Sequence, residues 1–561
     1  MAKDVELLSP CGSFAALEAA LKAGADAIYL GGKNFNARMG AKNFEREDII
    51  RAVKLCHEKG VRLFVALNTV IYDRAMDKAM EYAYFLYNAG VDALIVCDMG
   101  LVFCLRRALP DFELHASTQM AGNNLAAARF LCNEGFSRMV AARELSYKNL
   151  RTVCTESPIE TEVFVHGALC ASQSGGCLLS SVIGGRSGNR GECAQPCRLP
   201  YNGEYPLSLK DNCLAAHVKE LIECGANSFK IEGRMKSPAY VYGVTAAYRE
   251  FIDEKRNANE KEISSLASLF SRDGFTDGYF TGEMKNMRGV RNDANKRTAR
   301  EASVGRGRDF NREPIVINRE KAEKTERFSV CAAKRKVRKM NTARFQNASQ
   351  IPDIDFFDII YLPLDNFCEK ANGVILPPVV PDDEYQGVKE KIEQAKKRGA
   401  KHLLFCNIGQ IELALESGLD LHCDFRFNVT NSYSAAFMEK YGDVMLNPEL
   451  TLPQIRDIKG DKAVIVYGRL PVMTLENTTG KKILCDRRGA RFPVFREGGR
   501  EIVYNSVPVY MADKGKELDA AGITNRHFIF SVESKKEVQA IVCAYKKSLP
   551  SKSAFTRIKA K

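Results

Sequence analysis

Four cysteines fall within the run Glu162–Arg198, EVFVHGALCASQSGGCLLSSVIGGRSGNRGECAQPCR: Cys170, Cys177, Cys193 and Cys197, with gaps of six, fifteen and three residues. Four sulfurs so placed can ligate zinc or an iron–sulfur cluster, or serve as buried or redox thiols. Structural zinc favours two tight pairs, and the six-residue gap suits that pattern less well than a cluster, which presents four corners rather than one centre. Pro196 and the many glycines impose an irregular backbone whose free N–H groups can bond cluster sulfides.

Other groups near these sulfurs could do acid–base or anion-binding work. Arg190, Lys210, Glu232, Arg234 and Lys236 fall on loops or strand ends. Arginines there can clamp a dicarboxylate bidentately, and Glu232 can move protons or orient an arginine. His115 and His166 end strand patterns and can face the same mouth. Asn68, Ser117 and Gln119 also follow strands and can read a polar substrate edge. Proteolysis needs an activated nucleophile or a metal-bound water. The chain has seven histidines, but no His-Glu-x-x-His and no Gly-x-Ser-x-Gly run. Cys170 with His166 is the one pair that could serve as nucleophile and base.

The elements that must carry these residues alternate. Apolar runs at Glu6–Ser9, Ala27–Leu30, Arg62–Leu67, Ala93–Cys97, Glu113–Ala116, Met139–Ala142, Thr161–His166 and Ser228–Ile231 read as strands. Amphipathic stretches separate them, as at Phe14–Ala23, Arg46–Lys59 and Ala75–Ala89. Eight strands with helical crossovers over about 240 residues fit an α/β fold of the (β/α)₈ TIM-barrel type, with the cysteine run on the C-terminal face where active sites gather. An open doubly wound sheet is the alternative, weakened by the lack of a Gly-rich dinucleotide fingerprint after the first strand.

The chain then echoes itself. Leu114-His115 through Asn124, Ala127 and Ala128 corresponds to Leu421-His422 through Asn431, Ser434 and Ala435, at a constant offset of 307. Val165-His166-Gly167 is matched by Val466-Tyr467-Gly468, and ADAIYLG at Ala25–Gly31 by DFFDIIYL at Asp355–Leu362. A second barrel-like α/β half is therefore expected over roughly 345–540, with Pro471 where the first half has Cys170. The expected domains are a barrel with the cysteine cluster at 1–255, a helical, Gly-rich segment and basic connector at 256–344, a second barrel-like unit at 345–545 and a basic tail at 546–561.

The formal charge of +13 is concentrated: residues 285–344 hold 19 Lys/Arg against 7 Asp/Glu. Such a stretch suits a polyanion such as RNA, or a solvated linker. A non-catalytic protein binding RNA or another subunit through it is a third functional class. The charged N-terminus is unlike a secretory signal, and no apolar run is long enough to span a bilayer, so a cytoplasmic protein with no membrane partner is expected. Eighteen cysteines in a reducing compartment point to metal or catalysis where clustered. Cys56, Cys97, Cys104, Cys132, Cys224 and Cys406 sit in apolar patterns as small hydrophobes.

The run EVFVHGALC followed by SGGCLLS resembles the defining motif of peptidase family U32. Leu7-Leu8-Ser9-Pro10, His115-Ala116-Ser117-Thr118-Gln119, Asn189-Arg190-Gly191, Ser208-Leu209-Lys210-Asp211 and Lys230–Ser237 (KIEGRMKS) match its pattern too. The likeness is close over 1–285 and weaker at Tyr467–Pro471 and Val503–Ser506. It implies two activities. One is the collagenase-like proteolysis for which the family is named. The other is oxygen-independent hydroxylation by [4Fe–4S] proteins acting on a tRNA wobble uridine, a 23S rRNA cytidine or ubiquinone precursors, with prephenate as an oxygen donor. The resemblance implies Cys170, Cys177 and Cys193 as cluster ligands. Some relatives draw a ligand from the segment matching Ile231–Lys236, which has no cysteine here, leaving Cys197 as the fourth. Arg190 and Lys236 are candidates for holding the co-substrate. Zinc is the alternative metal. Many relatives carry further cysteines near Glu476–Arg500, where this chain has only Cys485.

Overall fold

The computed structural model describes residues 5–290, 305, 307, 310–323 and 339–551. Much of the expected basic connector, and the basic tail beyond residue 551, lie outside them.

Eight parallel strands close the first barrel: β1 (Glu6–Pro10), β2 (Ala27–Gly31), β3 (Arg62–Leu67), β4 (Ala93–Val96), β5 (Glu113–Ala116), β6 (Arg138–Val140), β7 (Glu160–Ala168) and, after β8 (Asp211–Cys213), β9 (Ser228–Ile231). Neighbours pair in order from β1 to β7, and β9 closes the ring between β7 and β1. The strands are almost wholly buried, helices outside and side chains within, which their apolar runs required. The helices begin where short polar side chains satisfy their free N–H groups. Ser13, Asn124, Ser146 and Ser237 accept from the amides of Ala16, Ala127, Asn149 and Tyr240. The segment after residue 255 joins this body rather than the connector. β10 (Phe275–Thr276) pairs with β8, and β8 runs antiparallel to the end of β7.

The second unit repeats the plan. Its strands are β11 (Met340–Phe345), β12 (Ile359–Pro363), β13 (Gly373–Ile375), β14 (His402–Phe405), β15 (Asp420–Cys423), β16 (Asp443–Val444) and β17 (Ala463–Gly468). There follow β18 (Pro471–Leu475), β19 (Ile483–Cys485), β20 (Arg491–Glu497), β21 (Arg500–Tyr504), β22 (Val509–Tyr510) and β23 (Asn525–Phe530). The curled sheet runs β16-β15-β14-β13-β12-β11-β23-β17-β22, and Met445, just past β16, bridges to Ala463 in β17. β17 and β23 occupy the places of β7 and β9, and β22 pairs antiparallel to the end of β17 as β8 does to β7. Both β7 and β17 slip register two residues before a glycine, Gly167 and Gly468, whose φ values are +108° and +116°. The sequence echo is thus a duplication of structure.

The two units meet face to face about the same offset. The Asn124 amide donates to the carbonyls of Val380 (2.7 Å) and Gly409 (3.1 Å), while the Asn431 amide donates to Ile71 O (2.8 Å) and Asp98 (3.1 Å). Gly100 and Gly409 give each asparagine its room: a Cβ on either would collide with the Oδ1 of the opposing Asn. Phe130 meets Phe437, and Tyr441 donates to Glu134, each pair separated by 307 positions.

The described connector straps the N-terminal ends of the first barrel's strands. Arg312 donates to Ala25 O (2.5 Å) and Asp26 (2.6 Å), Ile315 N–H to His57 O (2.9 Å), and Arg319 to Val91 O (2.6 Å). These two arginines are therefore not the solvated, polyanion-facing charges expected of the stretch. The turns they clasp expose carbonyls and a carboxylate that need cationic donors.

Candidate functional site

The C-terminal face of the first barrel opens into a cavity of about 170 Å³. Its floor is apolar: Tyr29, Ala66, Ile95, Val140 and Phe164 come from the strand ends, and Met473 of β18 reaches over from the second unit. All four cysteines of the excursion line it, with Asn68, Ser117, Gln119, Glu232 and Arg234.

The excursion between β7 and β8 is held by short-range devices. Arg198 donates to Leu209 O (2.5 Å) and Leu169 O (2.6 Å), closing the base of the loop. Gln195 adopts a left-handed conformation (φ +56°) and Pro196 starts a 3-10 turn, Pro196–Arg198, that brings Cys197 back beside Cys193. The second unit completes the clamp. Gln173 and Leu178 N–H groups donate to Thr474 O (2.9 Å) and Val472 O (2.8 Å), so β18 serves as a backbone template for the loop. The buried Glu449 carboxylate accepts from the Ser181 and Ser187 hydroxyls.

Burial pushes the Cys177 thiol well above its ordinary pKa, with Cys170 next and Cys193 and Cys197 adding to the effect. Burial and then Cys170 raise Cys197 to about 12. Cys177 and Cys197 therefore resist ionising without a compensating cation. Among the described residues no three His, Cys, Asp or Glu side chains are gathered closely enough to ligate one ion.

A set of cations lines the same cavity. Glu232 accepts from Arg38 Nη2 at 3.1 Å and lies 3.8 Å from Arg143. Burial alone would raise its carboxyl pKa; Arg38, Arg143 and Arg234 outweigh burial and hold it below the usual range. Arg143 also stacks over Phe164, 4.2 Å from the ring centroid, and its Nε has no hydrogen-bond partner among the described residues. Arg234 donates to Asn36 Oδ1 (3.0 Å) and Asn43 Oδ1 (2.6 Å). Lys230 pairs with Glu162 at 2.6 Å beneath the floor. Four cations against one lining carboxylate suit an anionic ligand.

Five expected site residues are elsewhere. His166 turns outward between Tyr240, Tyr248 and Phe275, because the register slip after Phe164 reverses the alternation of β7. Burial, then Lys236, lowers its pKa to about 3. His115 faces the barrel interior one pleat below Ser117, bonded to Glu113 at 2.8 Å. Lys210 lies at Met287 and Gly289, Lys236 over the Phe270 ring, and Arg190 over Tyr72 at 4.5 Å, while its neighbour Asn189 lines the cavity. No histidine lines the cavity, so the Cys170–His166 nucleophile pair does not form. Arg38, Arg143 and Lys230 were missed as cavity groups. Lys230 stood two residues before Glu232 on the same strand face, and that alternation was the available signal.

A closed parallel barrel whose mouth gathers four cysteines and four cations around one cavity defines an α/β-barrel protein with a site suited to an anion. The sequence model of peptidase family U32 matches residues 12–288 and 369–489, and the chain belongs to that family. Over 287 residues, 49% of the chain, it is 43% identical to the 23S rRNA 5-hydroxycytidine C2501 synthase of Escherichia coli, of whose length the match spans 42%. It is 37% identical over 268 residues to tRNA hydroxylation protein P1 of Bacillus subtilis (45% of the chain, 64% of that protein). It is 35% identical over 316 residues to a protein named collagenase from Porphyromonas gingivalis (50% and 74%). Among solved structures the U32 peptidase Mk0906 is similar, with a TM-score of 0.30, 12% identity and coverage of 42% of the chain and 94% of that structure. Among the described residues no helix is long and apolar enough to cross a membrane.

Proposed function

We propose that the chain hydroxylates a pyrimidine in RNA, tRNA or 23S rRNA, with an iron–sulfur cluster held by Cys170, Cys177, Cys193 and Cys197 and a prephenate-type dicarboxylate as oxygen donor. The carrying observation is the convergence of four cysteines and the Arg38–Arg143–Arg234 set on one cavity. Cys177 and Cys197, whose thiols burial keeps protonated, call for a cation to make them ligands. A tetrahedral zinc ion needs its sulfurs about 3.8 Å apart, from Zn–S bonds of about 2.3 Å. The unequal gaps of six, fifteen and three residues suit that less well than a cluster, which supplies electron-transfer chemistry when bound.

The chain's own residues do the positioning. Arg38 and Arg143 offer forked donors to carboxylate oxygens, and Glu232 orients them. Tyr29, Phe164, Ile95 and Met473 form apolar walls for a flat ring, and Asn68, Ser117, Gln119 and Asn189 offer polar groups to its edge. In the reaction a ring C–H becomes C–OH, a two-electron oxidation whose oxygen comes from the donor, which leaves reduced by two electrons. RNA-directed names among the relatives support this reading over proteolysis, as does the lack of a histidine in the cavity. Nucleoside mass spectrometry of tRNA and rRNA from a deletion strain tests it. The expected result is loss of one hydroxylated pyrimidine. Unchanged nucleosides, together with protease activity abolished by Cys170→Ser, would establish the collagenase-like alternative.

A further inference from the structure

Between β17 and β22 the second barrel sends out an excursion at the topological place of the cysteine excursion. It folds as an antiparallel sheet in the order β18-β21-β20-β19. Its β19–β20 hairpin carries Lys482, Arg487, Arg488, Arg491 and Arg496, all exposed. None of the five has an acidic partner among the described residues, whereas the neighbouring Lys481 pairs with Glu204 at 3.1 Å. The acid at the tip does not neutralise them. Asp486 Oδ1 accepts from the N–H groups of Arg488 (2.8 Å) and Ala490 (2.9 Å), shaping the turn that displays the arginines.

The hairpin is fastened to the wall of the cysteine cavity. Asn202 N–H donates to Cys485 O (2.8 Å), and Cys485 N–H donates to Asn202 Oδ1 (2.7 Å). Tyr201 packs edge-on against Phe492, and its hydroxyl donates to the carbonyl of Pro196, which lines the cavity. Tyr205, 38% exposed, stands in the same loop with its ring open to solvent. Five exposed cations on one hairpin, with an exposed aromatic ring in the loop to which it is fastened, are what a single nucleic-acid strand requires: phosphate neutralisation and a stacking face. An acidic protein surface would need the charges but not the ring beside a mouth that admits a flat base. The described connector arginines, Arg312 and Arg319, are engaged on the opposite face.

We propose that the β19–β20 hairpin is an RNA-phosphate clamp, gripping the strand next to the pyrimidine that enters the cysteine cavity. This rests on the RNA-directed reading above and adds a binding surface supplied by the second barrel. The test uses the full chain and its Arg487→Gln/Arg488→Gln/Arg491→Gln variant, titrated against total tRNA and a pyrimidine-rich single-stranded RNA over a range of salt. The variant should bind about tenfold or more weakly at low salt. Its plot of log affinity against log salt should be shallower by about 2, from roughly 0.7 for each phosphate no longer neutralised. Its melting temperature and iron content should match the wild type. Equal affinity and slope in the two proteins would overturn the clamp while leaving the enzymatic reading intact. So would loss of binding to a polyglutamate peptide with RNA binding preserved. Conversely, RNA binding lost in the variant, with hydroxylated nucleosides unchanged in the deletion strain, would keep the clamp and overturn the enzymatic reading.

Discussion

Glu162 sits fully buried between Lys230 and Arg138, with Glu6 and Glu160 completing Arg138's shell. Burial alone would raise its pKa, but Lys230 and then Arg138 outweigh it and hold the carboxyl low. A carboxyl with a depressed folded pKa stabilises the fold above its unfolded value of about 4.3 and loses that contribution as pH falls through the folded one. Glu162→Gln should therefore cost about 3–5 kcal/mol at pH 7, because buried Lys230 loses its counter-charge while Arg138 keeps Glu6 and Glu160. In chemical denaturation the gap to wild type should close below pH 4; a gap independent of pH would contradict this. At the mouth, Arg143→Lys removes the planar fork that faces the cavity. Dicarboxylate affinity should fall about 10- to 100-fold, from the loss of charge-assisted bonds worth about 1.5–3 kcal/mol, as read by titration under anaerobic conditions. At this scale the cysteines, Glu232 and Arg234 were legible because a strand end followed by a glycine-bordered loop lies on the active face. Arg38 and Arg143 were not, since their role depends on how two separate loops fold back over the mouth.

The bulged strand is the element that decides which side chains face the chemistry. The slip before Gly167 sends Phe164 inward and His166 outward, and no periodicity in VFVHGA announces it. At Gly167 a Cβ would lie 2.6 Å from the Glu232 carbonyl, and at Gly468 it would collide with the carbonyl of Ile529. Both positions are left-handed, so alanine at either should cost about 1–3 kcal/mol in thermal unfolding. Gly167→Ala should also shift Glu232 and impair the proposed hydroxylation, whereas Gly468→Ala should leave that chemistry unaltered at temperatures where it is folded. Equal activity in the two variants would show that the bulge does not position Glu232. The eight strands themselves were readable because each is a short buried run bounded by turn residues, and parallel strands inside a barrel need no alternation to betray them.

In the whole molecule a curled, barrel-like copy packs against the closed barrel, and it contributes Met473, Glu449 and the β18 template to the cysteine cavity. The offset of 307 made the second half legible, but not that the halves face each other through Asn124 and Asn431, which takes long-range packing to settle. Asn124→Ala and Asn431→Ala should each remove about 1–3 kcal/mol, by leaving buried groups of the opposite unit unpaired. Calorimetry should still show one transition, because each half completes the other; two separated transitions would contradict that coupling. The central claim is that the four sulfurs hold a cluster, and iron and sulfide analysis of the anaerobically purified full chain tests it most directly. The account predicts about four iron and four sulfide per chain, lost on Cys177→Ala. Colourless protein carrying one zinc per chain and no sulfide would contradict it.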